Sequence, residues 1–194
     1  MADAIVDHRL DGAEMWMVDL DAEVAAAMAG IGRRMARECG VKMEFASTAD
    51  RREALAGADF VTTSIAVELK RRQEMDWDIA KRYGILQTKG ECGSIGGLSY
   101  TLRSVPLVLS VCRDMEELCP RATLLNVTNP LTRVTLAATR YSSIRTVGFC
   151  YVALVGWRWA AAALGKAVED VDVTLAGLNH FSWLLAVRDR RTGE

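Results

Sequence analysis

Two asparagines and a threonine crowd the end of a short apolar run in TLLNVTNP, Thr123 to Pro130. Thr123, Leu124 and Leu125 suit a buried strand, and Asn126, Thr128 and Asn129 put amide and hydroxyl groups at its carboxyl end. In an open α/β sheet, ligands bind beyond that end. A purely structural alternative is that Asn129 and Pro130 cap and open a helix over Leu131 to Arg140. Other strand ends carry groups of the same kind. Asp19 closes the apolar Met15 to Val18; a carboxylate there can bind the ribose hydroxyls of a dinucleotide, or it can join Asp21 in capping the next helix. Ser64 ends Ala58 to Ser64 on a hydroxyl. Cys150 follows Arg145 to Phe149, and Asn179 and His180 follow Asp172 to Gly177. On residue type alone, a lone cysteine such as Cys150 reads as a small buried hydrophobe.

The elements that must position these groups alternate. An alanine-rich helix runs from about Asp21 to Cys39, a strand spans Lys42 to Ala46, and Thr48 to Leu55 reads as a solvated helix. After Ser64, the charged KRRQEMDWDIAKR of Val67 to Tyr83 mixes acids with bases and suits an exposed helix better than an anion site. Gly84 to Gly97 holds five glycines and reads as a ligand loop or a linker. A long helix, Gly97 to Leu118, with Arg103 in its early turns, precedes the TLLNVTNP strand. Helix Ala153 to Leu164 follows Cys150, and Trp183 to Arg188 continues or pairs with the last strand. Strand and helix in strict alternation predict a parallel sheet covered on both faces.

With 194 residues, 51% of them hydrophobic, the chain can bury one sizeable core. Its net charge of -1 leaves no electrostatic footprint for nucleic acid or an anionic membrane. The amino terminus has no apolar signal core and no uninterrupted apolar stretch approaches a span, so the expectation is a cytoplasmic protein with neither nucleic acid nor membrane as partner. Five cysteines, an odd number in unlike contexts, argue against a disulfide framework.

Taken together, VDLDAE, ADFVTTSI, QT-x-GE-x-GSIGGL, LLNVTNP, VGFC and AGLNHFSW occur in an order and spacing that resembles glycoside hydrolase family 4. The resemblance runs from about Glu14 to Val187. It implies an α/β protein with a Rossmann-like, doubly wound, mostly parallel sheet lacking its first strand: a truncated dinucleotide-binding domain over 1–150, then the start of an α/β substrate and oligomerisation domain over 151–194. It also implies NAD and Mn2+ as cofactors, a small glycoside as substrate and a homo-oligomer when the chain is complete. The activity implied is a glycosidase that oxidises the sugar at C3, eliminates the glycosidic oxygen with help from a metal and then adds water, an exception to the paired-carboxylate mechanism. Carried over by residue, Cys150 and His180 resemble the metal ligands, and Asn129 and Asn179 the sugar contacts. Asp19, Ser64, Asn126 and Thr128 take cofactor-binding positions, and Tyr151 that of the catalytic acid.

Two departures qualify the match. Tyr151 stands where the family commonly has His, Asp or Asn. The phosphate-binding glycine loop would lie upstream of Met1 and the base downstream of Glu194, so the resemblance implies an internal fragment, inactive by itself and prone to associate through unpaired strand edges. Cys150 and His180 are expected to converge from the ends of neighbouring parallel strands. A lactate or malate dehydrogenase relative is the enzymatic alternative, although neither His8 nor His180 has the glycine-rich setting of that family's histidine. A truncated, non-catalytic fragment is the other.

Overall fold

The computed structural model describes Ile5, residues 8–86 and residues 94–194. Residues 87–93 of the glycine-rich segment 84–97, including Cys92, lie outside the described residues. The chain divides into two compact units, one of Met1–Asp59 with Glu117–Pro120, the other of Phe60–Glu116 with Arg121–Glu194.

In the first unit, strand β1 (Glu14–Val18) pairs in parallel with β2 (Glu44–Thr48), with Met15 opposite Phe45. Between them runs helix α1 (Ala22–Cys39). Asp21 starts it by accepting from the N–H groups of Glu23 and Val24, and Gly40 at φ 69° ends it. Ala25, Ala29, Gly32 and Ala36 form its buried stripe, and the missing side chain at Gly32 leaves room for the Phe45 ring, which a Cβ would meet at 2.4 Å. Ile5, Val41 and Met43 complete this core. Helix α2 (Arg51–Leu55) starts later than the sequence suggests, because Asp50 is its cap and accepts from Arg52 N–H at 2.9 Å.

The second unit holds three parallel strands in the order β3 (Phe60–Thr63), β4 (Thr123–Asn126), β5 (Arg145–Gly148). Helices α3 (Leu69–Arg82) and α4 (Ile95–Leu118) lie between β3 and β4 in the chain, and α5 (Leu131–Tyr141) between β4 and β5. Leu124, 0% exposed, centres this core; burial of such a side chain is worth about 1.5–3 kcal/mol. By length and composition alone α4 could cross a bilayer. Its buried Tyr100, Ser104, Val108, Val111 and Met115 form one stripe, and Arg103 bonds both carboxylate oxygens of buried Asp76 on α3, as suits a core helix.

Helix α6 (Tyr151–Ala163) then leads to an antiparallel hairpin, β6 (Val171–Leu178) and β7 (Phe181–Asp189). The indole N–H of Trp157 on α6 donates to Val171 O at 2.8 Å, which fixes the hairpin base to the helix. Lys166 pairs with Asp189 at the same end.

The α/β class and the parallel pairing agree with the sequence. Among the described residues the parallel strands form two sheets, β1–β2 in the first unit and β3–β4–β5 in the second. One geometric expectation fails: β6 is not a neighbour of β5 in a parallel sheet. It turns back on β7, so His180 lies in a hairpin turn and not at the end of a strand paired with β5.

Candidate active site

The carboxyl ends of β3 and β4 meet in a buried polar knot centred on Asn126. Its side-chain oxygen accepts from Thr63 Oγ1 at 3.0 Å and from Thr128 N–H at 3.1 Å. Its Nδ2 donates to Thr128 O at 3.2 Å and to Thr135 Oγ1 at 3.0 Å. Both lone pairs and both N–H groups are therefore used, in a side chain that is 0% exposed. Thr128, also buried, accepts from Ile65 N–H at 3.0 Å through Oγ1 and so holds the turn that follows Ser64. Thr135 reaches Asn126 because the end of β5 is Gly148, where a Cβ would stand 2.5 Å from the Thr135 hydroxyl. Asn126 and Thr128 thus shape the strand ends from within, and any service to a ligand is through the backbone they fix.

Asn129 accepts from Leu131 N–H at 3.2 Å, so the capping alternative is realised: Pro130 is the N-cap residue of α5 and Asn129 ties its first turn. Only its oxygen is used. The Nδ2 of this half-buried side chain has no partner among the described residues and can donate to a ligand. Ser64 is exposed on the loop after β3.

Cys150 occupies the N-cap position of α6 and its sulfur makes no capping hydrogen bond. The thiol is free and half-buried. Helix α6 begins two residues earlier than the sequence indicates, which puts Tyr151 in its first turn. There the phenol oxygen accepts from Arg158 Nη1 at 2.5 Å, with the guanidinium 5.7 Å from the ring centroid. The phenol keeps its own proton available for donation. Cys112 and Cys119 are the bland counterpart of Cys150: both are buried, and burial pushes both thiols up.

Asn179 and His180 form the two-residue turn between β6 and β7. His180 adopts φ 62°, a left-handed conformation that His enters more readily than most residues. The turn depends on Gly177, at φ 140°: a Cβ there would lie 2.6 Å from Phe181 O and 2.7 Å from Ser182 Cα. His180 is exposed, and its ring has no hydrogen-bond partner among the described residues.

Asp19 lies in the other unit. One carboxylate oxygen accepts from Asp21 N–H at 3.0 Å, Asp21 being the residue that caps α1. The second oxygen of exposed Asp19 has no partner among the described residues, as a ribose-binding carboxylate requires.

Among the described residues no three His, Cys, Asp or Glu side chains gather as a metal centre. A catalytic metal held by Cys150 and His180 would take its remaining positions from water and substrate, and the donor chemistry fits, since both groups are otherwise uncommitted. Sequence reasoning missed Asp76, Thr63, Thr135, Arg133 and Arg158. Of these only Arg133 carried a signal, a cation in the first turn of a helix.

Parallel strands joined by helices, with polar side chains at the strand ends, place the chain in the Rossmann-like α/β class. Residues 1–164 match the model of the family 4 glycosyl hydrolases, and the chain belongs to that family. It is 40% identical over 177 residues to the "Probable 6-phospho-beta-glucosidase" of Bacillus subtilis (strain 168), covering 90% of this chain and 40% of that protein. It is 33% identical over 189 residues to the alpha-galactosidase of the same organism, covering 97% and 44%. A crystal structure of a 6-phospho-alpha-glucosidase from gut microorganisms, in complex with NAD and Mn2+, superposes with a TM-score of 0.83 at 26% identity, covering 98% of this chain and 45% of that one. The chain therefore spans less than half the length of these relatives. Family membership decides between the glycosidase and dehydrogenase kinships in favour of the first.

Proposed function

We propose that this chain carries the cofactor-binding and metal-binding part of a glycosidase acting on a small glycoside, with residues 1–150 serving the dinucleotide and 151–194 opening the substrate domain. The observation that carries the reading is the thiol of Cys150, which neither caps α6 nor bonds elsewhere although it sits at a helix start. When bound, NAD would accept hydride from the sugar's C3 and the metal would act as a Lewis acid on the sugar's oxygens.

The chain's own groups have separate tasks. Asp19 offers its uncommitted carboxylate oxygen to the ribose hydroxyls, and Ser64 offers a hydroxyl to the cofactor. Asn126 and Thr128 hold the strand ends against which the cofactor lies. Cys150 and His180 hold the metal. Asn129 donates from Nδ2 to the sugar hydroxyls, and Asn179 faces the same sugar. Tyr151 passes its phenolic proton to the departing glycosidic oxygen, while Arg158 keeps the phenol in place. Cys39, Cys112, Cys119 and Cys150 are free cysteines, in keeping with the proposed cytoplasmic location. Leu178, Phe181, Trp183 and Leu185, all exposed along the hairpin, support association into a homo-oligomer.

The test is Mn2+ binding, followed by loss of the free-ion paramagnetic resonance signal, with NAD binding read in parallel from tryptophan quenching. Cys150→Ser is expected to weaken Mn2+ binding tenfold or more and to leave NAD binding unchanged. Undiminished Mn2+ binding by that variant would assign the metal to other ligands.

A further inference from the structure

Arg133 is placed where a cation is least expected. It lies in the first turn of α5, where the helix dipole disfavours positive charge. It is half-buried, yet among the described residues it pairs with no carboxylate. Its one hydrogen bond is a long 3.3 Å to Thr101 Oγ1, a hydroxyl that already spends its proton on Gly97 O at 2.6 Å. Three other arginines of this unit have carboxylate partners: Arg103 is gripped by both oxygens of Asp76, and Arg71 and Arg72 both pair with Glu68. Glu68 is held below the usual carboxylate range, chiefly by the Arg71 hydrogen bond. A half-buried guanidinium with no carboxylate partner among the described residues is costly unless an anion answers it. It sits four residues beyond Asn129, whose Nδ2 is uncommitted.

We infer that Arg133 receives an anionic substituent of the sugar, a carboxylate or a phosphate, and so decides which glycosides are accepted. The planar guanidinium matches either group with paired N–H donors, which a neutral hydroxymethyl cannot use. The inference rests on the glycosidase reading and narrows it to acidic sugars. An anion at Arg133 also supplies the charge that the first turn of α5 favours.

The experiment is calorimetric titration of the full chain, with NAD and Mn2+ present, using galactose, galacturonate and galactose 6-phosphate as neutral, carboxylate and phosphate probes. At least one acidic sugar should bind about tenfold or more tightly than galactose. Arg133→Met should abolish that preference with galactose affinity held within about twofold, and Arg133→Lys should retain part of it. The acidic sugar that binds better identifies the anion. Equal binding of all three sugars, or a preference that survives in Arg133→Met, overturns the inference alone. Binding of none of them by a chain that still binds NAD overturns the glycosidase reading and this inference together.

Discussion

Exchange of Asn126 for aspartate changes one NH2 group into an oxygen at the centre of the polar knot. In the native protein that NH2 donates to Thr128 O at 3.2 Å and to Thr135 Oγ1 at 3.0 Å. The Thr135 hydroxyl can rotate and donate to the new oxygen. The Thr128 carbonyl cannot, and is left facing a second acceptor. Loss of the donation to Thr128 costs about 1 kcal/mol, and burying a carboxylate against that carbonyl adds about 2 kcal/mol, so the variant should lose about 3 kcal/mol at pH 7. At a typical urea slope of about 2–3 kcal/mol/M that lowers the unfolding midpoint by about 1 M. Protonation restores a donor toward Thr128, so the new carboxyl ionises at higher pH in the folded chain than its unfolded value of about 3.9. A group raised in this way is benign below the unfolded value, and its penalty grows as pH rises through the folded one. The deficit should therefore be about half as large at pH 4 as at pH 7. Urea unfolding at both pH values measures this, with Ser64→Ala, a change at an exposed hydroxyl, as a control expected to lie within about 0.5 kcal/mol of the native chain. A deficit below about 0.5 kcal/mol at pH 7, or one independent of pH, would refute the view that Asn126 is saturated from within.

Gly177→Ala forces a Cβ into Phe181 O at a φ that L-residues avoid, and should cost about 2 kcal/mol or more; faster amide exchange in β6 and β7, with α1 unaffected, is the expected signature. Asp189 ionises at about 2 in the folded chain, mainly through its hydrogen bond from Lys166 and then the N–H groups of Arg191 and Thr192. A depressed carboxylate stabilises above its unfolded value and ceases to do so as pH falls through the folded one. Midpoints of the native chain and Asp189→Asn should thus differ most above about pH 4 and converge near pH 2; a constant gap would contradict the assignment.

Much of the fold was legible because alternation of apolar runs with capped helices depends on local chemistry. Asp21 marks the start of α1 in the sequence as clearly as in the structure, whereas Asp50, read as part of its helix, is the residue before it. The start of α6 was hidden for the opposite reason: Cys150 caps nothing with its side chain, so no polar residue announces Tyr151. Parity would have given the orientation of Asn126, since it shares the buried face of β4 with Leu124 two residues earlier. The hairpin was harder, because Asn-His lacks the glycine of the strongest two-residue turns and the decisive Gly177 sits two residues before it. Pairings such as Arg103 with Asp76, 27 positions apart, leave no local trace at all.

The hairpin that carries His180 behaves as a lever. It is fastened at its base by Trp157 and Lys166, and further along Leu175 meets α6, its methyl carbons 3.9 Å from where a Gly156 Cβ would stand. From there to His180 the strand projects five residues, about 16 Å at 3.3 Å per residue. A tilt of only about 5° at the fulcrum would swing the imidazole by about 1.4 Å, more than the tolerance of about 0.2 Å that a metal–ligand bond permits. For the proposed bond from His180 to the metal, the aim of the imidazole is set by packing a strand's length away, and substitutions at Gly156 or Leu175 should weaken Mn2+ binding much as a change to His180 itself would.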